Sequence, residues 1–413
     1  MPDVSFTNLL VVAAVAVLAP LTVGFAPRLR IPAVVLEIIG GIIIGPSVLG
    51  WAHVDLPVSI LALFGLAFLL FLAGLEIDVH RLRGRLLRFA VLGYLMGLVL
   101  AYGAGESFRA AGWVSQPLLM AITLSATALG LVVPVLKDAG QLHGEVGQTA
   151  LAAASVADFA AVVLLSLFFS SSGGSTGARV VVLGAFAGLV AVTALVVSGA
   201  ARSMRLGQVL IRLQDTTAEI RVRFAVLLLV GFTVLAVRFG LESILGAFVA
   251  GAIVGLVDRD SASHPYFRAK LDAIGYGFLV PVFFVTSGIR LDLTGLLHSP
   301  SALARVPVFL LALLVVRGLP ALLGLRANGT RPTLALGLLQ ATSLPFIVAA
   351  TQIGVVLGKL SSVTAAALVC AGLLSVLIFP LLALGLLRRS EPAPAPAAPA
   401  PAATQPVPEP HLM

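Results

Sequence analysis

One carboxylic acid stands where lipid ought to exclude it. Asp158 lies in the run Ala152-Ala153-Ala154-Ser155-Val156-Ala157-Asp158-Phe159-Ala160-Ala161-Val162-Val163, six or more residues from either end of an apolar stretch. A charge at the centre of a membrane helix costs about 2.5–3.5 kcal/mol on insertion scales, and aspartate is too short to reach the interface. A carboxyl group kept at that depth suits alternation between a proton and a cation, because protonation removes the charge that attracts the cation. The surrounding alanines let neighbouring helices come close and leave room for water or an ion. Ser155, one turn earlier, and Thr127, in the preceding span, offer neutral oxygens beside it. A purely structural acid is the competing reading.

Arg317, in Leu313-Leu314-Val315-Val316-Arg317-Gly318-Leu319-Pro320, is the one basic residue well inside a span. A buried guanidinium needs a carboxylate or free helix-end acceptors, so Asp158 or a broken helix end is its expected partner, with snorkelling toward the inner face as the competing reading. Two spans carry the marks of such breaks. The fifth combines Thr123, Ser125, Thr127, Gly130 and Pro134; the twelfth combines Gln340, Thr342, Ser343 and Pro345. Interruptions of this kind free backbone groups near mid-membrane and point to a transport site. They lie seven spans apart, so their helices run in opposite directions, as an inverted repeat of spans four to six and eleven to thirteen requires. Glu76 and Glu37 sit near span ends. Glu76 reads as reaching the interface or supporting the site, and Glu37 as structural or facing an inner vestibule. The histidines lie in connections or the tail without ligand spacing, Cys370 is single, and no glycine-rich phosphate loop occurs, so no cofactor or resident metal is expected.

The elements that position these residues follow from composition. Of 413 residues 59 % are hydrophobic and 11 % charged, with a mean hydropathy of +1.10, more apolar surface than a soluble domain can bury. About thirteen transmembrane helices are expected between residues 6 and 387, among them 117–136, 147–169, 303–324, 332–356 and 361–387. Nineteen of the 26 basic residues fall in the odd-numbered connections and at the C-terminal end, and six in the even-numbered ones. That bias puts the N-terminus outside and the C-terminus in the cytoplasm, and it accounts for the net charge of +8 without nucleic acid. Residues 1–389 read as one membrane domain and 390–413 as a disordered Pro/Ala-rich tail. Segment 200–217 alternates apolar and basic residues, either as a helix along the inner surface or as a plain basic loop. The chain is expected to be a transporter rather than an enzyme.

Four motifs in order carry a resemblance: Pro32 to Ser47 with Glu37, Gly45 and Pro46; Phe71-Leu72-Ala73-Gly74-Leu75-Glu76; Leu245-Gly246-Ala247-Phe248-Val249-Ala250-Gly251; and Val280-Pro281-Val282-Phe283-Phe284 through Gly288. Together they resemble the monovalent cation:proton antiporter 2 family over nearly all of residues 6–387. The resemblance implies an all-α fold with crossed, interrupted helices and a core domain moving against a dimerising scaffold in a homodimer; the basic set of 23 Arg to 3 Lys and the alanine-rich spans point to a bacterial cell membrane. It implies exchange of H+ for Na+ or K+ at Asp158, the second position of the family's paired motif, with Ala157 at the first. Arg317 matches the family's supporting basic residue, and Thr342, Ser343 and Pro345 match its second break, where Ser343-Leu344-Pro345 replaces a frequent Gly-Glu-Phe. One mid-membrane acid predicts electroneutral exchange. An organic-cation or metabolite exporter and a non-transporting membrane sensor remain the alternatives.

Overall fold

The computed structural model describes residues 6–25, 32–77, 84–128, 130, 132, 133, 136, 141, 142, 144–169, 176–201, 219–257 and 265–388. The Pro/Ala-rich tail, most of segment 200–217, and Asp78, Arg81, Pro134 and Lys137 lie outside them. The described elements are helices: α1 (Thr7–Phe25), α2 (Ala33–Ile44), α3 (Leu56–Leu75), α4 (Gly84–Ala110), α5 (Pro117–Ser125), α6 (Glu145–Phe169), α7 (Thr176–Ala201), α8 (Ile220–Arg238) and α9 (Ser243–Val257). They continue with α10 (Pro265–Ile274), α11 (Val280–Ile289), α12 (Leu293–Leu297), α13 (Pro300–Leu313), α14 (Leu325–Asn328), α15 (Thr330–Ala341), α16 (Pro345–Val356) and α17 (Ser362–Arg388). Among the described residues nine helices, some built from consecutive elements, are long and apolar enough to cross a membrane, and three apolar helices are shorter.

Two groups of helices emerge from the packing. In the first bundle α2 lies on α1 and α11, α3 on α9 and α11, and α8 on α9. In the second α4 packs on α5 and α6, α17 on α13, α15 and α16, and α16 on α5. Glycines set the tight seams of the first bundle. A Cβ on Gly251 would overlap Phe71 O, and one on Gly74 would overlap Phe248 O, so α3 and α9 touch backbone to backbone. The same holds for Gly41 against Val285 O and Gly288 against Ile38 O between α2 and α11. Without a hydrophobic force between helices in lipid, such close approach supplies the packing energy.

The faces of the molecule follow from end contacts. Arg268 Nη2 donates to Leu75 O at 3.3 Å, and Arg290 Nη2 donates to Ser59 Oγ at 3.2 Å. Hence α3 runs antiparallel to the α10–α11 pair, with Glu76 and Arg268 at one end and Ser59 and Arg290 at the other.

Four spans are irregular. The fifth stops at Ser125, with Ala126 extended at ψ 158°. The twelfth stops at Ala341, and α16 restarts at Pro345, whose missing N–H costs nothing at a helix start. Both breaks fall among the hydroxyl residues that predicted them, the second also at its proline, Pro345. The eleventh span reads in sequence as a uniform helix, yet after α13 it contains a π-helical turn at Leu314–Gly318 and a 3₁₀ segment at Leu319–Gly324. A second π-helical turn, Gly275–Leu279, joins α10 to α11. Wide turns of this kind inside helices cluster at functional sites.

Candidate functional site

The two breaks meet. Ala128 N–H donates to Thr342 O at 2.9 Å, and the Thr127 hydroxyl donates to Gln340 O at 3.0 Å. Each interrupted helix thus satisfies backbone groups the other has freed, the requirement for non-helical chain at membrane depth. Ser375 on α17 completes the second break. Its hydroxyl accepts from Ser343 N–H at 3.2 Å and lies 3.0 Å from Ser343 O and 2.7 Å from Gly372 O.

Asp158 reaches this crossing from α6, with 9 % of its surface exposed. Its Oδ1 accepts from Thr127 N–H at 3.2 Å, the amide freed by the first break. Arg317, 1 % exposed, arrives from the π-helical turn: Nε donates to Thr127 Oγ1 at 3.0 Å and Nη2 to the same oxygen at 2.6 Å. The broken helix thus supplies two hydrogen bonds to the guanidinium, and Asp158 and Tyr94 both lie within its electrostatic range. Thr127 Oγ1 gives one hydrogen bond and accepts two, which exhausts a hydroxyl. Its oxygen, read in sequence as a neutral cation ligand, is here fully engaged in holding Arg317.

Tyr94 on α4 lies beneath the site, its hydroxyl 3.1 Å from Ser125 Oγ, which donates to Ile122 O. Gly97, one turn along α4, passes so close to the π-helical turn that a Cβ there would come within 2.9 Å of Val316 O.

A cavity of about 60 Å³ opens beside Asp158 and is lined also by Glu76, Thr127, Tyr276, Phe284 and Phe346. Glu76, the C-terminal cap of α3, thus shares a cavity with Asp158, and its Oε2 is buried with no hydrogen-bond partner. Glu37 is 5 % exposed within α2, its Oε2 likewise without a partner, and it is not in this cavity wall. Ser155 is buried at 7 % one turn from Asp158 and is not in the wall either. Thr342 bonds back to Leu338 O at 3.1 Å, and Ser343 Oγ is fully buried without a partner.

Sequence reasoning missed Ser375, Tyr94 and Tyr276, and it marked Gln340 only as part of the second break. Ser375 and Tyr94 are single polar residues in apolar runs, and nothing in their spacing marks them. Gln340 contributes its carbonyl, which every residue has. Tyr276 falls in the Gly275-Tyr276-Gly277 run, whose two glycines were the one available signal.

Comparison with known proteins agrees with this geometry. The family model described as sodium/hydrogen exchanger, transmembrane, matches residues 13–384. YjbQ of Bacillus subtilis (strain 168) is 32 % identical over 410 residues, covering 95 % of this chain and 64 % of that protein. The Na+/H+ antiporter of Enterococcus hirae is 30 % identical over 285 residues, 67 % of this chain and 72 % of that one. The Na+/H+-K+ antiporter GerN of Bacillus cereus is 28 % identical over 310 residues, 72 % and 73 % of the two chains. The chain therefore spans just under two thirds of the length of its Bacillus subtilis relative. The sodium proton antiporter MjNhaP1 of Methanocaldococcus jannaschii has the same fold, with a TM-score of 0.64 over 91 % of this chain and 97 % of that one at 21 % identity. The polytopic helical chain, with its paired helix breaks around Asp158, belongs to the sodium/hydrogen exchanger transmembrane family.

Proposed function

We propose that this protein exchanges H+ for a monovalent cation, Na+ or K+, across the membrane, with Asp158 carrying one or the other. The observation that carries the reading is the placement of Asp158: a buried acid in the wall of a cavity, fixed by the amide of a broken helix beside a guanidinium locked in place. Competition between proton and cation for one carboxylate couples the two fluxes, and with a single such acid the exchange is one for one and electroneutral. Arg317, Thr127, Thr342 and Ser343 hold the crossing, Glu76 borders the cation's path, and Ser155 is a reserve oxygen on the Asp158 helix. The antiporter names of the Enterococcus hirae and Bacillus cereus relatives support the same reading.

Cargo size favours an inorganic ion. The Asp158 cavity holds about 60 Å³, room for an ion with a few waters, whereas pockets for small organic ligands run to about 300–1,000 Å³.

Basic residues Arg221, Arg223, Arg268, Lys270, Arg326 and Arg331 lie in the helix ends at the Glu76 end, so we place that end in the cytoplasm and the Arg290 end outside. The apolar outer faces of α1 and α8 meet lipid, and the family resemblance supports a dimer formed through the first bundle.

The test is transport by the full chain in vesicles with an internal pH dye, loaded acid inside. External Na+ or K+ is expected to alkalinise the lumen in wild type and not in Asp158→Asn. No cation response in wild type between about pH 6 and 9 would sink the exchange reading.

A further inference from the structure

Among the described residues, hydrogen bonds at the Arg290 end tie the second bundle to the first at three places. Gln352 Nε2 on α16 donates to Ser287 Oγ on α11 at 2.9 Å; Ser362 Oγ, opening α17, donates to Asp292 Oδ2 at 2.9 Å; Glu242 N–H, before α9, donates to Ser166 Oγ on α6 at 3.0 Å. At the opposite end the Asp158 cavity opens between the same two bundles.

A second cavity, about 340 Å³, lies on the Arg290 side, lined by Ser287, Arg290, Asp292, Thr351, Gln352 and Ser362 among others. The two cavities are stacked on one pair of helices. On α11, Phe284 lines the first and Ser287, three residues on, lines the second; on α16, Phe346 lines the first and Val348 the second. Three residues of helix rise about 4.5 Å, so a septum roughly one turn thick divides them. Phe284 and Phe346 form its Asp158 side. Gln352 and Ser287 bridge its other side.

The three ties are not equivalent. Ser362 and Asp292 meet at the exposed rim, where water competes for both partners. Ser166 and Glu242 join α6 to the α8–α9 corner and line neither cavity. Gln352 and Ser287 close over the septum itself. The Ser287 hydroxyl spends its proton on Phe283 O at 2.7 Å, which aims a lone pair at the glutamine amide.

We propose that the Gln352–Ser287 pair is the outer gate of the transport path, the contact that seals Asp158 from the Arg290 side and parts when the second bundle moves against the first. The 340 Å³ cavity is the vestibule through which a hydrated cation approaches that gate. The cation's part in this rests on the exchange function proposed above; the sealing of Asp158 does not.

Gating is separable from a merely structural role because it acts oppositely on the two faces. Losing the bond raises the fraction of molecules open to the Arg290 side, and apparent affinity at each face scales with the fraction open to it. In oriented vesicles, Gln352→Ala and, from the other partner, Ser287→Ala are expected to lower the cation KM at the Arg290 face about two- to tenfold, the population shift one hydrogen bond is worth, and to raise KM at the Glu76 face. A second readout needs no transport: in a Cys370→Ala background, Val162→Cys, in the cavity wall one turn from Asp158 toward the Arg290 end, is labelled by a membrane-impermeant thiol reagent from the Arg290 side faster when Gln352→Ala is present. The gate is overturned if both variants leave the two KM values unchanged or move them together, or if labelling is not accelerated. Absence of cation exchange in wild type sinks the exchange function alone, and the labelling comparison still decides the gate.

Discussion

Arg317 closes on Thr127 with two of its nitrogens, Nε at 3.0 Å and Nη2 at 2.6 Å, while the Thr127 hydroxyl points its proton at Gln340 O, 3.0 Å away. One side chain thereby fixes a buried cation, the first helix break and the second. The Thr127 amide, on the other side of the same residue, holds Asp158. Charge, backbone and acid are coupled through a single residue of the crossing.

Removing that hydroxyl is therefore expected to cost more than its size suggests. Thr127→Val keeps the shape and strips the oxygen, leaving guanidinium donors and the Gln340 carbonyl unsatisfied; hydrogen bonds to charged groups are worth about 1.5–3 kcal/mol. We expect a loss of that order in thermal unfolding in detergent, with exchange reduced at least tenfold, while Thr127→Ser stays near wild type. Arg317→Lys keeps the charge but cannot make the paired contact, so it is expected to fall between them. Equal activity of Thr127→Val and Thr127→Ser in the vesicle assay would show that the hydroxyl has no such role.

Ser375 makes an analogous prediction for the second break. Its hydroxyl stands in for the helical partner that Ser343 lacks, 0 % exposed and away from water. Ser375→Ala orphans a buried N–H, at about 1–3 kcal/mol. Thermal unfolding should drop by that amount for Ser375→Ala and much less for Ser375→Thr. An unchanged melting temperature in Ser375→Ala would mean that water replaces the hydroxyl.

The glycine seams predict a contrast between positions of identical type. Gly251→Ala and Gly74→Ala each press a methyl group into a facing carbonyl, Phe71 O and Phe248 O, and overpacking costs about 1–3 kcal/mol. Because both separate the same two helices, α3 and α9, the double variant should lose less than the sum. Gly231 on α8 has nothing within 4 Å of its Cβ position, so Gly231→Ala should be neutral or stabilising by up to about 1 kcal/mol. Thermal melts of the four variants decide it.

Sequence made the acid and the breaks legible because both violate a strong local rule. Asp158 interrupts an apolar run, and Pro345 cannot continue a helix from Ser343. Their consequences depend on partners far along the chain. Arg317 and Thr127 are 190 residues apart, and no periodicity links them. A carbonyl such as Gln340 O or Thr342 O carries no sequence signal at all. The π-helical turn presenting Arg317 was invisible because Leu314, Val315 and Val316 suit a regular helix equally well. Glu76 was legible as an acid near a span end, at the interface or supporting the site. Its residence in the same cavity as Asp158 is set by how α3 packs on α9, α11 and the Gly275–Leu279 turn, which hydropathy does not encode.

That residence gives the last prediction. Glu76 lies in the Asp158 cavity wall toward the Glu76 end, with Arg268 and Asp272 within electrostatic range. An acid along the path, when ionised, raises the local cation concentration without entering the exchange step. Glu76→Gln is then expected to raise the cation KM several-fold at the Glu76 face, leaving maximal rate and the one-for-one coupling intact. Such focusing weakens with ionic strength, since the Debye length shrinks from about 10 Å at 0.1 M to about 3 Å at 1 M. Wild type and Glu76→Gln should therefore converge when a non-transported salt is added on both sides of the vesicle. If Glu76→Gln instead abolishes exchange as Asp158→Asn does, and salt fails to close the gap, the cation is held by both carboxyl groups. A one-for-one stoichiometry built on Asp158 alone would then have to be given up.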